Sequence, residues 1–140
     1  MTRFPTLPLT RPQSRLPAIA LWLAAPMALL QGINAVRTVT DPIGFARYMG
    51  APLASAADAA WVQIYGLRAA FVALLVAALI ARRDIGALKW AALAALVMPL
   101  GDAWLTHQLG APPSTIARHG AIAAYLVVAF FAFRAAEARR

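Results

Sequence analysis

The chain predicts an all-α fold, an integral membrane bundle of four helices, and three observations carry that prediction. Its 140 residues are 62% hydrophobic and only 13% charged, too apolar a balance for a soluble domain of this size. Four apolar stretches, about Leu16–Val36, Ala59–Ile80, Ala87–Gln108 and Ile116–Phe133, each approach the roughly 20 residues with which a helix crosses about 30 Å of hydrocarbon. The stretches are rich in Ala and Leu and show no alternation at period two. Every spanning backbone group has to find its hydrogen bond internally, so helices fit this pattern and a β-barrel does not.

The elements follow in order. Residues 1–15 are rich in Thr, Pro and Arg without apolar periodicity, which predicts a basic N-terminal tail. Span one then opens the membrane domain, taken as residues 16–134. Its start, Arg15 and a short apolar run with Ala24-Ala25, has the form of a secretory signal, but the run continues through Leu29, Leu30 and Ile33, longer than a signal core, so the span is expected to be retained. Thr40-Asp41-Pro42 offers an N-cap with Pro at the first helical position, and Gly50 with Pro52 offers a stop, predicting a short interfacial helix over residues 42–49 with Phe45 and Tyr48 at headgroup depth. Asp58 and Ser114 stand where spans two and four need caps. Ala69, Ala73 and Ala77, like Ala87, Ala91 and Ala95, recur every four residues, and such small ridges predict close packing of span two against span three across the turn near Asp84. Pro26 and Pro99 each remove a backbone donor and are expected to kink spans one and three. Residues 135–140 read as a basic C-terminal tail.

Charge sets the orientation. The net charge is +8, Lys+Arg 13 against Asp+Glu 5, which on its own would suggest nucleic acid. Placement argues against a nucleic-acid partner: Arg3, Arg11 and Arg15 precede span one, Arg82, Arg83 and Lys89 surround the turn between spans two and three, and Arg134, Arg139 and Arg140 follow span four. By the positive-inside rule these regions are cytoplasmic, and so are both termini. The localisation this predicts is multi-pass, in a bacterial inner (plasma) membrane. The chain has no cysteine, which removes disulfides, thiolate metal sites and a Cys nucleophile.

Under this topology the polar residues within the spans gather in the outer half of the bundle. Gln31, Asn34 and Arg37 recur every three residues at the outer end of span one; Trp61, Tyr65 and Arg68 fall at i, i+4 and i+7 on span two, beside Gln63; Asp102 and His107 belong to the outer half of span three, and His119 to the start of span four. Each spacing marks one helix face. An ionisable group within a bilayer costs roughly 2.5–3.5 kcal/mol on insertion scales, so such groups face an interior and find partners. Arg68 and Asp102 are therefore expected to pair, either as a lock between helices or as part of a site, and Pro99 and Gly101 would open the backbone beside Asp102. Asp102 with His119 is the candidate proton-transfer pair, and Asn34, Gln63, Tyr65, Arg68, Asp102 and His119 are the candidate ligand-binding residues. No ligand pair at i and i+4 accompanies His107 or His119, so neither a metal nor another cofactor is expected.

The order of Gly32-Ile33-Asn34, Asp41-Pro42-Ile43-Gly44-Phe45 with Met49-Gly50-Ala51-Pro52, Tyr65-Gly66-Leu67-Arg68, Pro99-Leu100-Gly101-Asp102-Ala103 and then His119 before a final apolar helix resembles one family, the small four-helix membrane proteins of domain of unknown function 4267, over about residues 20–134. The resemblance implies a four-helix architecture, puts Arg68, Asp102 and His119 on the family's polar motif positions, and brings no activity with it. Three functions fit the residues: a binder of a small lipophilic molecule, quinone- or isoprenoid-like, in an outward pocket; a structural or accessory subunit with a partner membrane protein or a second copy; and a small intramembrane acid/base enzyme using Asp102 and His119.

Overall fold

The computed structural model describes residues 16–139. The expected tail over residues 1–15, with Arg3, Arg11 and Arg15, lies outside them, as does Arg140. Apart from short connections the described chain is helical: α1 (Leu16–Thr40), α2 (Pro42–Met49), a 3₁₀ turn (Ala56–Asp58), α3 (Ala59–Ala81), α4 (Ile85–Ala95), α5 (Val97–Gln108) and α6 (Pro113–Glu137). Four helical stretches are long and apolar enough to cross a membrane: Ala18–Thr40, Ala56–Ala81, Ile85–Gln108, which combines α4 and α5, and Pro113–Glu137. The all-α, four-span reading holds.

Local chemistry fixes where these elements start and stop. α1 runs four residues past its apolar stretch, with Thr38 and Thr40 hydroxyls donating back to the Ala35 and Val36 carbonyls at 2.7 and 3.1 Å. It ends where Asp41 precedes a proline, a position that disfavours helical backbone. Asp41 takes φ −149° and ψ 71°, and its carboxylate accepts from the Gly44 N–H at 2.9 Å, so it caps α2 as expected. At the other end Gly50 adopts φ 86°, and the Ala51 N–H reaches the Ala46 carbonyl at 3.1 Å, a left-handed closure that favours glycine. Asp84 caps α4 by accepting from the Ala87 N–H at 3.0 Å, which starts span three at Ile85 rather than Ala87.

The two other expected caps behave differently. Asp58 accepts from the Ser55 N–H and hydroxyl at 3.0 and 3.1 Å, closing the 3₁₀ turn and leaving the start of α3 without a side-chain cap. α6 begins at Pro113, so Ser114 lies inside its first turn. Of the two prolines, Pro26 sits within a continuous α1, whereas the third span breaks at Leu96 into α4 and α5. Pro99 cannot donate to the carbonyl four residues back, and its ring crowds that carbonyl. The helix regroups around it, with Leu96 N–H bonding the Leu93 carbonyl at 3.2 Å in a tighter i−3 closure.

The helices pack as two pairs. α3 lies along α1, while α4 and α5 lie along α6; α1 meets α6 to join the pairs, and α2 closes over α1 and α3 at the end away from Leu16 and Glu137. The expected alanine interface between spans two and three is thus not the main contact of either. Ala69 is buried, but Ala77 is exposed and Ala91 and Ala95 face an internal space. Gly66 sets the closeness of α1 and α3: a Cβ there would run into the Thr38 hydroxyl and stand 2.9 Å from the Thr38 Cβ. Toward the end that holds Leu16 and Glu137, buried apolar side chains close a core of Ala20, Ala24, Ile85, Leu88, Ala129 and Phe133. Lys89 and Glu137 pair there across α4 and α6. Large apolar side chains, among them Trp22, Leu74, Trp90 and Phe131, are exposed on the outside. With lipid as the solvent that surface is the ordinary one.

Candidate ligand cavity between the helix pairs

Because the pairs meet along only part of their length, a cavity of about 650 Å³ remains between them, within the roughly 300–1,000 Å³ typical of small-molecule sites. Its inner part is walled by side chains such as Val72, Val76, Ala91, Ala95 and Leu126. Polar residues gather at the end nearer α2: Gln31, Asn34, Tyr65, Asp102 and His119, with Tyr48 and Arg118 at the rim. Leu75 of α3 and Val97 of α5 line the cavity yet are 44% and 74% exposed, and α3 and α5 do not pack along each other. The wall of the cavity is therefore thin between α3 and α5.

His119 is the best-held polar group in it. The ring is 2% exposed, its Nε2 lies 3.4 Å from the Met49 carbonyl at the end of α2, and its Nδ1 lies 3.9 Å from Asp102 Oδ2 on α5. A carbonyl only accepts, so Nε2 carries the proton on the Met49 side and Nδ1 is the nitrogen turned to the carboxylate. At 3.9 Å the two groups face each other beyond hydrogen-bond length. Tyr65 is fixed by its tilted ring contact with Phe45, centroids 5.6 Å apart. Gln31 donates to Met98 Sδ at 3.8 Å, while its buried Oε1 has no hydrogen-bond partner among the described residues. Tyr125, deeper in the cavity, donates its hydroxyl to the Leu23 carbonyl and so ties α6 to α1.

Four of the six expected ligand-binding residues, Asn34, Tyr65, Asp102 and His119, line the cavity; Gln63 and Arg68 do not. Both are exposed on α3. Arg68 precedes buried Ala69 by one residue, which turns it by about 100° around the helix from the inward face. The anticipated Arg68–Asp102 pair is therefore absent, and the partner of Asp102 is His119. Trp61 is 72% exposed, so of the Trp61–Tyr65–Arg68 set only Tyr65 turns to the cavity. His107 is exposed as well. Among the described residues no three His, Cys, Asp or Glu side chains come together as a metal cage.

Two further cavity residues, Tyr125 and Tyr48, lie outside the set of ligand-binding residues that the sequence predicts. A signal for Tyr125 was present: Arg118, Ile122 and Tyr125 stand at i, i+4 and i+7 on α6, and all three line the cavity. Tyr48 carries no such pattern, because its position depends on how α2 folds back over the bundle.

Fold and cavity together define a multi-pass helical membrane protein with an internal pocket. The chain belongs to the family described as domain of unknown function (DUF4267), whose model matches residues 20–133. No curated protein and no solved structure matches the chain.

Proposed function

We propose that the protein binds one small lipophilic molecule, quinone- or isoprenoid-like, in this cavity, with the polar end of the ligand among Asn34, Tyr65, Asp102 and His119 and its apolar body along Val72, Val76 and Leu126. The observation that carries the reading is the division of one cavity into an apolar trough and a polar end built by five different helices. Apolar lining supplies affinity, and a few convergent polar groups supply orientation. In this reading the protein sits in a bacterial inner membrane with both termini cytoplasmic, and the ligand enters from the bilayer between α3 and α5.

Native mass spectrometry of gently extracted wild-type protein beside Asp102→Asn tests it, with a thermal melt to establish that the variant is folded. A small molecule on the wild type that is lost from a folded variant is the expected result. Protein that carries no ligand in either form, with Asp102→Asn only melting earlier, would leave the polar residues as a structural lock and favour an accessory subunit. A second reading, intramembrane acid/base chemistry on the bound molecule, is favoured by the approach of His119 Nδ1 to Asp102 at 3.9 Å.

A further inference from the structure

At the rim of the cavity two guanidinium groups converge on one ring. Arg118 Cζ lies 3.8 Å and Arg37 Cζ 4.4 Å from the Tyr48 centroid, and Arg37 also stands 5.8 Å from the Phe45 centroid. Arg118 donates in addition from Nη2 to the Tyr48 backbone carbonyl. Aromatic faces attract and orient cations but leave their charge in place. Neither arginine has a carboxylate partner among the described residues, where the pairs are Lys89 with Glu137 and Asp102 with His119. Asp41, the acid nearest Arg37 in sequence, has its carboxylate on the Gly44 N–H.

The cavity wall itself carries one carboxylate, Asp102, which faces an imidazole, and one guanidinium, Arg118, which has no carboxylate partner among the described residues. Arg37 stacks on the same Tyr48 ring and brings a second unpaired cation beside it. Both arginines stack on Tyr48, and Arg118 forms part of the cavity wall. A guanidinium carries five N–H donors in a planar fork that matches carboxylate and phosphate oxygens.

Building on the ligand reading above, we infer that the bound molecule is an anionic amphiphile, its phosphate or carboxylate head held at the rim by Arg118 with Arg37 beside it. Charge-assisted hydrogen bonds to the head are the strong contacts of such a complex, and the apolar trough accepts the chain. A neutral quinone leaves both guanidiniums unmatched.

The test titrates the purified full chain, in a nonionic detergent, with farnesol, farnesyl monophosphate, palmitate and inorganic phosphate. Farnesyl monophosphate and palmitate are expected to bind at least about tenfold more tightly than farnesol. That preference should largely disappear in Arg118→Gln, weaken in Arg37→Gln and survive in part in Arg118→Lys. Equal binding of farnesol and its phosphate by wild type would overturn the anionic head while leaving a lipophilic ligand standing. No binding of any amphiphile would overturn the underlying reading too. If inorganic phosphate alone bound as tightly as farnesyl monophosphate, or phosphatidylglycerol in nanodiscs displaced it completely, the rim would be a free-phosphate or bilayer-lipid contact and the inference would fail. Loss of farnesol binding in Arg118→Gln would mark that arginine as structural and count against it equally.

Discussion

His119 is held from two elements at once, by the Met49 carbonyl of α2 and by Asp102 of α5, so its ring links the cap of the bundle to the wall of the cavity. Replacing it with phenylalanine keeps most of the volume but strands the Met49 carbonyl and removes the ring that faces Asp102, and a buried polar group left unsatisfied costs about 1–3 kcal/mol. With Asp102 partly exposed the cost should fall below that range, so a lowered melting temperature is expected, with partial recovery in a His119→Phe, Asp102→Asn double variant. A double variant that melts no higher than the single one would show that the two residues are not coupled. Tyr125→Phe removes the hydroxyl bond to the Leu23 carbonyl; interhelical hydrogen bonds in membranes average about 0.6 kcal/mol, so a small drop in the thermal midpoint is the expected outcome. At this scale the sequence revealed the polar groups but not all their partners. Asp102 and His119 stood out because titratable side chains are rare in apolar runs, while Arg68 stood out for the same reason and faces outward. Which side of a helix is buried depends on its neighbours, and α3 is almost uniformly apolar around its circumference, so its own sequence could not orient it.

Helix ends were far more legible, because caps are local chemistry. Asp41, Pro42 and Gly50 delimit α2 where expected, and Asp41→Ala should cost about 1 kcal/mol through loss of the cap, read as a lower thermal midpoint and faster hydrogen exchange over residues 42–46. The break in the third span was half legible: Pro99 announced it, but the regrouping at Leu96 comes from how the backbone rearranges ahead of the ring. Pro99→Ala is expected to fuse α4 and α5 into one helix, visible as new amide protection at positions 96–99. The pairing of α1 with α3 was not legible from the alanine ridges, which occur on several faces at once. Gly66 is the discriminating residue, since the space for its missing Cβ is filled by Thr38. Gly66→Ala should destabilise the protein by about 1–3 kcal/mol, the usual cost of overpacking, and Thr38→Ala in the same chain should recover part of it.

For the whole molecule, a helical chain whose large apolar side chains face outward follows directly from composition and span length. What composition does not give is the cavity, because it arises where two helix pairs fail to close completely. Orientation can be read on a clean background, since the chain has no cysteine. In intact cells Ala57→Cys, on the loop before α3, should react with an impermeant maleimide, and Ala138→Cys, beyond α6, only after lysis; the reverse pattern would invert the proposed topology. The central claim, that the space between the pairs is a ligand site, is tested most directly by filling it. Ala91 lines the cavity, so Ala91→Phe places a ring in open volume without overpacking a closed core. Native mass spectrometry of wild type and Ala91→Phe from the same membranes should show a small molecule on the first and none on the second, at equal or higher thermal stability. A ligand retained at full occupancy by the filled variant, or absent from the wild type, would contradict the account.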